Sequence, residues 1–559
     1  METKVLQFDK SVDRYIKFAK EKSAKEDFVG ALNFLFSAKS IEPDNTLVLA
    51  LIADVYADMN LFELSNQYWF EYIDKSAKEK HAVAFEELAI NYFYLDNFWA
   101  SSYYFHKKLD IDGYISKEGL SQEIIDFFSG EELKKTAYRI VYPFERANYD
   151  YEIKRAKHAI TLGLFEEGIK YLSRIPQQRL DEENAGNLAM CYFITDQYDK
   201  AEEVCRLSIK NHGPNITAYS HLSTIYGMKE DVDNSDFYYQ KALSLRKGEQ
   251  GEAYKIATCA FEREDHQNVL TSLEEIIKER PFEYTMRFFY GLALANVKNY
   301  QGAIKHLKQA YLIEPNDLVI KFYLEYIESL AVDENDFLNL LPFKYVKEIP
   351  EQLTKEWRKK IKFLVKNPDK ISSALKKAEA KEMVKWGLTE SDGDIMRDCA
   401  YILSNSTLQS SKDLVLSTLL SPFGTEEMKH VLIYVAIISG IKQKFGVVVN
   451  ECYLKIRPKK LLCEKDKKYG YLYFSSYALC LSKLAFYDID GIDKVAKVCD
   501  RIYKKFQGNI TSAEVSNEEI AGLVLSQCGF KKYSENSSVT SIFSITEEKL
   551  NLLKNMLKD

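Results

Sequence analysis

The sequence predicts an all-α protein built largely from stacked helical hairpins, and two observations carry this prediction. Proline and glycine are scarce, at 11 and 23 of 559 residues, which favours long helices over short strands. Small and turn-forming residues also recur at an interval of 34 residues, which is typical of solenoids in which every repeat is one pair of helices. The clearest pairs are Ala257 with Gly291, Val269 with Ala303, and Pro281 with Pro315.

The repeat is best defined in residues 284–317, whose pattern predicts two helices and a turn. Gly291 in the first helix and Ala303 in the second are small, so the two backbones can approach closely. Leu307 and Ala310 lie three residues apart and form an apolar stripe on the second helix. A closing proline cannot extend a helix and ends the unit.

This pattern resembles the tetratricopeptide repeat (TPR) family, in which small residues recur at fixed positions and a proline closes the repeat. The same register gives seven further units: 12–45, 46–79, 82–115, 149–181, 182–215, 216–249 and 250–283. One such match is not specific, but eight in phase are. The resemblance implies a TPR α-solenoid, a right-handed superhelix of helix–turn–helix repeats, over about residues 12–330.

Two segments next to the repeats do not follow this register. Residues 116–148 are about one repeat long and helical in composition, so they form either a decayed repeat or a helical insert. Residues 318–330 predict the solvated helix that caps a solenoid, and residues 333–343 a connector. The predicted organisation is three repeats in 1–115, the segment 116–148, five repeats with a capping helix in 149–331, and a helical C-terminal domain in 332–559.

The C-terminal domain is mostly helical without the 34-residue period. Helices are predicted at 351–366, 370–386, 392–405, 410–420, 425–439, 469–486, 495–506 and 545–558, with a strand or hairpin at 445–457 and a loop at 534–541. The alternation of helices and short breaks indicates antiparallel helical hairpins, loosely similar to HEAT repeats. No family is assigned to this region.

Charge and hydropathy exclude several classes of partner. The formal net charge is −7, and the basic cluster of Arg457, Lys459 and Lys460 is short, which argues against nucleic acid. The most apolar run, 431–440, is too short to span a bilayer, so no membrane insertion is expected. The N-terminus lacks the apolar core of a secretory signal. Nine cysteines without a CxxC pair indicate neither disulfides nor zinc, and predict a reducing, cytoplasmic location.

Motifs that carry chemistry are missing from the sequence. It contains no HExxH, GxxxxGK[ST], GxGxxG or GxSxG pattern. Asp488, Asp490 and Asp493 resemble part of a calcium loop, but Phe486 and Lys497 would occupy its first and last ligand positions, so a turn between helices is expected. We therefore predict a protein that is not an enzyme and uses no cofactor or metal.

The TPR resemblance implies a concave groove lined by the first helix of each repeat. Charged residues expected there include Asp54, Asp58 and Glu86, and the set of Lys, Asn and Arg that clamps a C-terminal carboxylate is missing. An apolar groove suits the apolar face of a helix or an extended peptide. The candidate partner-binding residues are apolar and aromatic: Ile90, Phe93, Tyr94, Met190, Phe193, Tyr254, Phe261, Phe288 and Leu292.

These features predict a non-catalytic scaffold or adaptor that binds a protein or peptide in the TPR groove. A regulatory peptide sensor that sequesters a partner is the alternative, and an enzyme with an unrecognised active site in 332–559 is a third hypothesis. The aromatic candidates have a second interpretation. They either bind an external partner, or they pack against neighbouring helices while the C-terminal domain fills the groove.

Overall fold

The computed structural model describes residues 11–113, 119–136, 149–161, 163–248, 251–389, 393–466, 470–487, 489–506, 515–533 and 536–558. Over these residues the chain is all-α apart from one two-stranded sheet, as predicted. It divides into two compact units, Met1–Ile124 with Glu351–Asp559 (unit 1) and Ile125–Pro350 (unit 2). The first three repeats thus group with the C-terminal helices, whereas residues 332–350 group with the later repeats.

Eighteen helices precede residue 333 in the described part of the chain, in the paired order that the repeats predict. They are α1 Val12–Ser23, α2 Phe28–Ile41, α3 Thr46–Asp58, α4 Phe62–Lys75, α5 His81–Tyr94, α6 Phe98–Asp112, α7 Gln122–Thr136, α8 Asp150–Thr161, α9 Phe165–Leu172, α10 Glu182–Ile194, α11 Tyr198–His212, α12 Ile216–Met228, α13 Val232–Ser244, α14 Glu252–Glu262, α15 His266–Glu279, α16 Tyr284–Asn296, α17 Tyr300–Ile313 and α18 Leu318–Val332. The segment 116–148 contributes α7, and residues 114–118 and 137–148 lie outside the described residues.

Eleven helices and two strands follow in the rest of the described chain. They are α19 Glu351–Lys366, α20 Ile371–Ala374, α21 Ala378–Thr389, α22 Gly393–Ser404, α23 Gln409–Leu420, α24 Glu426–Ile438, β1 Phe445–Val449, β2 Cys452–Ile456, α25 Gly470–Phe486, α26 Ile492–Phe506, α27 Asn517–Gln527, α28 Asn536–Phe543 and α29 Glu547–Lys558. Short 3-10 turns occur at Lys78–Lys80, Gln177–Arg179, Pro368–Lys370, Leu462–Lys465 and Lys531–Tyr533.

The turn inside each repeat of unit 2 recurs with the sequence period. Helices α10, α12, α14 and α16 end 34 residues apart, at Ile194, Met228, Glu262 and Asn296. Two residues later the backbone is left-handed, with φ between 52° and 61°, at Asp196, Glu230, Glu264 and Lys298. The next helix is then capped by a side chain that accepts a hydrogen bond from a backbone N–H in its first turn. These caps are Asp231, Asp265 and Asn299.

Small residues allow the two helices of the repeat to pack closely, as predicted. A Cβ added to Gly291 would lie 2.8 Å from Leu307 Cγ and 3.4 Å from the Ala303 carbonyl oxygen. Gly291, Ala303 and Leu307 are all fully buried in the core of unit 2. The glycine therefore sets the distance between α16 and α17.

The connector predicted at 333–343 is instead part of a folded segment, residues 333–349, which we call the strap. Its Phe343 is 1% exposed and contacts Tyr323 and Tyr326 of α18, at ring-centroid distances of 5.7 and 6.2 Å. The prediction of a solvated capping helix is therefore wrong for one face of α18. That face is apolar, and the strap shields part of it from water.

The strand or hairpin predicted at 445–457 is confirmed as a hairpin in unit 1. Strands β1 and β2 are antiparallel, with Phe445 opposite Ile456 and Val449 opposite Cys452. The two-residue loop, Asn450 and Glu451, has φ values of 45° and 63°. Positive φ at both central positions is the feature of a type I′ turn, whose twist matches that of the strands.

This hairpin packs against the second helices of repeats 2 and 3, within unit 1. The Tyr453 hydroxyl donates to Asp74 Oδ1 at 3.2 Å, and Lys455 Nζ donates to the Asp74 carbonyl at 2.6 Å. The buried Tyr104 hydroxyl donates to the carbonyl of Glu451. A Cβ added to Gly446 would lie 2.8 Å from Leu420 Cδ1 and 2.9 Å from Asp74 Oδ1. The nearest atom is Tyr453 Cε2 at 2.6 Å, so the close approach of Tyr453, α23 and α4 together favours glycine at position 446.

Two predictions for the C-terminal helices are wrong. The helix predicted at 370–386 is instead divided into a 3-10 turn, α20 and α21, and Ile371 and Leu375 are buried beside the break. The loop predicted at 534–541 contains α28. Val539 and Phe543 lie four residues apart there and are buried against α27, and their spacing outweighs the polar composition of the segment.

Gly446→Ala is expected to lower the free energy of unfolding of unit 1 by about 2 kcal/mol, because the added methyl group overpacks the contact between the hairpin and α4. All four tryptophans, Trp69, Trp99, Trp357 and Trp386, belong to unit 1, so urea unfolding followed by tryptophan fluorescence reports on this unit.

Gly393→Ala is the matched control, because its added Cβ meets only the Arg397 guanidinium at 3.4 Å. A change of less than about 0.5 kcal/mol is expected there. Equal effects of the two substitutions would contradict the proposed role of Gly446.

Candidate functional site

The predicted groove residues of repeat 3 differ in accessibility. Ile90 is partly buried, and Phe93 is buried with its ring 5.5 Å from that of Phe98. Tyr94 is 50% exposed and its ring stacks on Phe62 of the preceding repeat at 4.8 Å. Of the three, Tyr94 offers the largest accessible aromatic surface.

The first helices of repeats 2 and 3 also bring carboxylates close together. Burial raises the pKa of Asp54 to about 6, with a further contribution from Asp58. Burial raises the pKa of Glu87 to about 7, and Asp54 contributes to this shift. Glu86 differs from its neighbour because it forms an ion pair with the buried Lys108 at 2.9 Å. This face is therefore acidic as well as aromatic.

Glu87→Gln is expected to stabilise unit 1 at pH 8 by about 1 kcal/mol or more. The pKa of Glu87 is higher in the folded state than in the unfolded state, so the native state binds the extra proton. Its contribution to stability is lost as pH rises from about 4.5 through about 7. The advantage of the glutamine variant should therefore disappear near pH 4, as measured by urea unfolding with tryptophan fluorescence.

The neighbouring substitution Glu86→Gln provides a control of opposite sign. It removes a partner of Lys108 and is expected to destabilise unit 1 at pH 8. The assignment of Glu87 as a strained carboxylate is wrong if both variants destabilise the unit to the same extent.

Two candidate groove residues of the last repeat are core residues. Phe288 and Leu292 are fully buried in the core of unit 2, so the prediction that they line a binding surface is wrong for both. Helical periodicity places them on the correct helix but does not distinguish the groove from the contact with the next helix. Three other candidates, Phe193, Tyr254 and Phe261, are partly buried and pack against the core, and Met190 is partly buried.

The strap covers Phe261 at the end of α14. The Tyr345 ring stacks on Phe261 at 4.8 Å, and the Tyr345 hydroxyl is 2.7 Å from His266 Nδ1. A single side chain of the last repeat forms hydrogen bonds with both the N–H and the carbonyl of one strap residue. Asn296 Nδ2 donates to the Phe343 carbonyl at 2.9 Å, and the Phe343 N–H donates to Asn296 Oδ1 at 2.6 Å. The strap is thus held as an extended peptide would be, by its backbone and an aromatic side chain.

The residues that hold the strap belong to a periodic set, which we call the helix-end row. It comprises the last two residues of four first helices of unit 2, α10, α12, α14 and α16: Phe193 and Ile194, Gly227 and Met228, Phe261 and Glu262, and Ala295 and Asn296. Towards α10 the row is accessible, with Ile194 45% and Met228 52% exposed. Sequence reasoning missed Met228 and Asn296 as site residues, although the 34-residue period that relates them to Ile194 was visible.

Asn296→Ala is expected to loosen the strap, because it leaves the buried N–H and carbonyl of Phe343 without partners, at a cost of about 1–3 kcal/mol. Amide hydrogen exchange of residues 337–349 should accelerate by about tenfold or more. Asn335→Ala, at an exposed position of the strap itself, should leave the exchange unchanged. Equal protection in both variants would show that the Asn296 amide does not hold the strap.

Unit 1 contains a cavity of about 910 Å³ among its C-terminal helices. It is lined by α22, α24 and α25, the start of α27 and the end of α28. Two tyrosines present accessible rings there, Tyr401 at 41% and Tyr471 at 65% exposure. A concave site with aromatic walls and a few polar groups is typical of ligand-binding cavities.

Four of the five charged side chains that line this cavity pair with one another, and the fifth is Glu518. Lys483 forms an ion pair with Glu426, and Arg397 lies 3.7 Å from Glu427. His430 Nε2 lies 3.2 Å from the Ser475 carbonyl oxygen, and burial lowers the pKa of His430. The imidazole therefore contacts a backbone carbonyl in this cavity rather than a hydroxyl nucleophile.

All nine cysteines are buried, and none of them forms a disulfide bond. In the ranges that the structure describes, no group of three or more His, Cys, Asp or Glu side chains is arranged to hold a metal ion. Within those same ranges no helix combines the length and the apolar character that crossing a membrane requires.

A family model of the tetratricopeptide repeat matches residues 216–248. These residues span α12 and α13 and coincide with one of the units defined by the 34-residue period. Residues 216–248 are therefore a tetratricopeptide repeat. The match covers a single unit, and the neighbouring hairpins of unit 2 share its period, helix ends and turns.

The solved structures that match this chain share little sequence with it. Yeast Tom70 is 10% identical and aligns over 95% of this chain and 98% of its own, with a TM-score of 0.28. In the Cut9–Hcn1 complex, the matched chain is 16% identical over 58% of this chain and 57% of its own, with a TM-score of 0.28. Human IFIT1 is 16% identical over 71% and 87%, with a TM-score of 0.26. No curated protein matches the chain.

Proposed function

We propose that this protein is a non-catalytic scaffold that binds an extended segment of a partner protein along the helix-end row of unit 2. The observation that carries this proposal is the way in which the strap is held. Asn296 pairs with both backbone groups of Phe343, and Phe261 stacks on Tyr345. These contacts recognise a main chain and a large side chain, which are the two elements of extended-peptide recognition.

The accessible part of the helix-end row offers the same kind of surface to another chain. Ile194 and Met228 precede Glu262 and Asn296 by whole repeats, and their side chains are about half exposed. Burial of two such apolar side chains contributes roughly 1 kcal/mol or more each, and methionine adapts to partners of different shape. Affinity in this proposal comes from apolar burial together with main-chain hydrogen bonds.

One part of the helix-end row is filled by the chain itself, and another part is open to an external partner. The strap fills the row at α14 and α16, whereas the part at α10 and α12 is the proposed site for a partner. Phe193 precedes Ile194 in α10, and its ring lies 5.5 Å from that of Tyr198. Since nine buried cysteines that form no disulfide bond suit a reducing compartment, we also propose a cytoplasmic location.

The double variant Ile194→Asp, Met228→Asp tests the proposed peptide binding. Two buried carboxylates at the interface should weaken partner binding by about a hundredfold or more, because a charge without a partner is costly to desolvate. The measurement is affinity capture from native cell extract, quantified by mass spectrometry, with the full-length chain as bait. Circular dichroism should remain unchanged, since both side chains are already exposed.

A matched double variant carries the same charge change on second helices of unit 2. Val232→Asp, Leu312→Asp replaces apolar residues that are 65% and 43% exposed on α13 and α17. Proteins captured by the wild type should be retained by this control and lost from the row variant. Retention of every protein by both variants, or capture of none by the wild type, would contradict the proposal.

A further inference from the structure

We propose that unit 1 binds a ligand with several linked phosphate groups in a second site, the basic cleft. This cleft has a volume of about 890 Å³. It is formed by the α4–α5 connection, α5, α6, strand β2 with the residues around it, and the start of α26. All of these elements belong to unit 1, so the inference does not depend on peptide binding by unit 2.

Positive charge is concentrated in the basic cleft. Six cationic side chains face two carboxylates, an excess of four positive charges, in a chain whose formal net charge is −7. A concave site with low-dielectric walls focuses such a field and raises the local concentration of anions. The cations are Lys78, Lys107, Lys444, Lys455, Arg457 and Lys459, and the carboxylates are Asp490 and Asp493.

The protein neutralises only part of this charge. Lys455 pairs with Asp74 at 3.5 Å and Lys459 with Asp493 at 3.0 Å. No carboxylate in the described ranges forms an ion pair with Lys78, Lys444 or Arg457, and Arg457 Nε donates to a backbone carbonyl at 3.2 Å. Like charges brought together without counter-charges repel, and an anionic ligand would remove this repulsion.

The same positive charge affects the pKa of a histidine inside the basic cleft. His81 Nε2 lies 3.3 Å from the Ser76 carbonyl oxygen, and its ring meets Phe85 edge-on at 5.8 Å. Burial lowers the pKa of His81, and the proximity of Lys455 and Lys78 lowers it further. The ring is therefore neutral at pH 7, and the positive potential around it comes from the lysines.

The composition of the cleft favours phosphate over carboxylate. Five of the six cations are lysines, whose compact ammonium groups bind phosphate as point charges, whereas carboxylates are matched best by the planar fork of arginine. Residues 491–493, at the N-terminus of the fifteen-residue helix α26, also line the cleft. A helix N-terminus carries partial positive charge and unpaired N–H groups that suit phosphate oxygens. The volume and the number of cations require more than one phosphate group.

Isothermal titration calorimetry of the full chain with inorganic tripolyphosphate tests this proposal. Saturable binding that weakens with ionic strength is expected for the wild type. Binding should weaken at least about tenfold in the triple variant Lys78→Gln, Lys444→Gln, Arg457→Gln, whose side chains are exposed and outside the apolar core. Vesicles with a phosphorylated inositol lipid form a second arm: binding of tripolyphosphate alone supports a soluble ligand, and binding of both supports a lipid headgroup.

Two controls distinguish specific binding in the cleft from nonspecific attraction of anions by positive charge. The variant Lys359→Gln, Lys362→Gln, Lys366→Gln removes the same charge from exposed positions of α19 and should leave binding within about twofold. Citrate, which carries three carboxylates, should bind more weakly than tripolyphosphate. The proposal is overturned if the wild type shows no saturable binding, if citrate binds as tightly, or if the α19 variant loses as much affinity as the cleft variant.

Discussion

Each helical hairpin of this protein buries one apolar face against its neighbour and leaves another uncovered, and the rest of the structure follows from this constraint. Within a repeat, the contact depends on small residues such as Gly291 and Ala303, which allow α16 and α17 to approach closely. Between repeats, the next hairpin covers the remaining face. A stack built in this way needs a different solution wherever the regular repeat ends.

The chain solves this problem in two different ways. In unit 2 the strap packs Phe343 against α18, the last helix of the stack, and places Tyr345 on Phe261. In unit 1 a β-hairpin contacts the second helices of repeats 2 and 3 through Asp74 and Tyr104. Both segments are short, and both are fixed by hydrogen bonds to backbone groups as well as by apolar contact. Backbone recognition by side chains of the repeats is therefore a property that the structure already uses internally.

Local sequence features predicted the helices well because each repeat fixes its helix ends and caps with residues close together in the sequence. The period of 34 residues fixes where α10, α12, α14 and α16 end, and three residues after the end of each of α12, α14 and α16 there is a side chain that caps the next helix. The same reasoning failed where packing decides. Phe288 and Leu292 occupy positions that the TPR pattern assigns to the groove, but residues from other helices cover them. The break between α20 and α21 has neither proline nor glycine to signal it, and the buried Ile371 and Leu375 beside it carry no such signal in the sequence.

The basic cleft could not be predicted from the sequence for a related reason. Its cations lie in separate parts of the chain, at 78–107 and 444–459, and the hairpin contact joins residues 347 positions apart, Tyr104 and Glu451. The cluster at Arg457 and Lys459 looks small in the sequence because Lys78 and Lys107 are contributed by the distant repeats 2 and 3. Once Asp74 fixes Lys455, the register of β2 determines where the neighbouring basic residues lie. The contact that covers an apolar face of the repeats thus also assembles the excess positive charge, so a change that detaches the hairpin should abolish anion binding together with local stability.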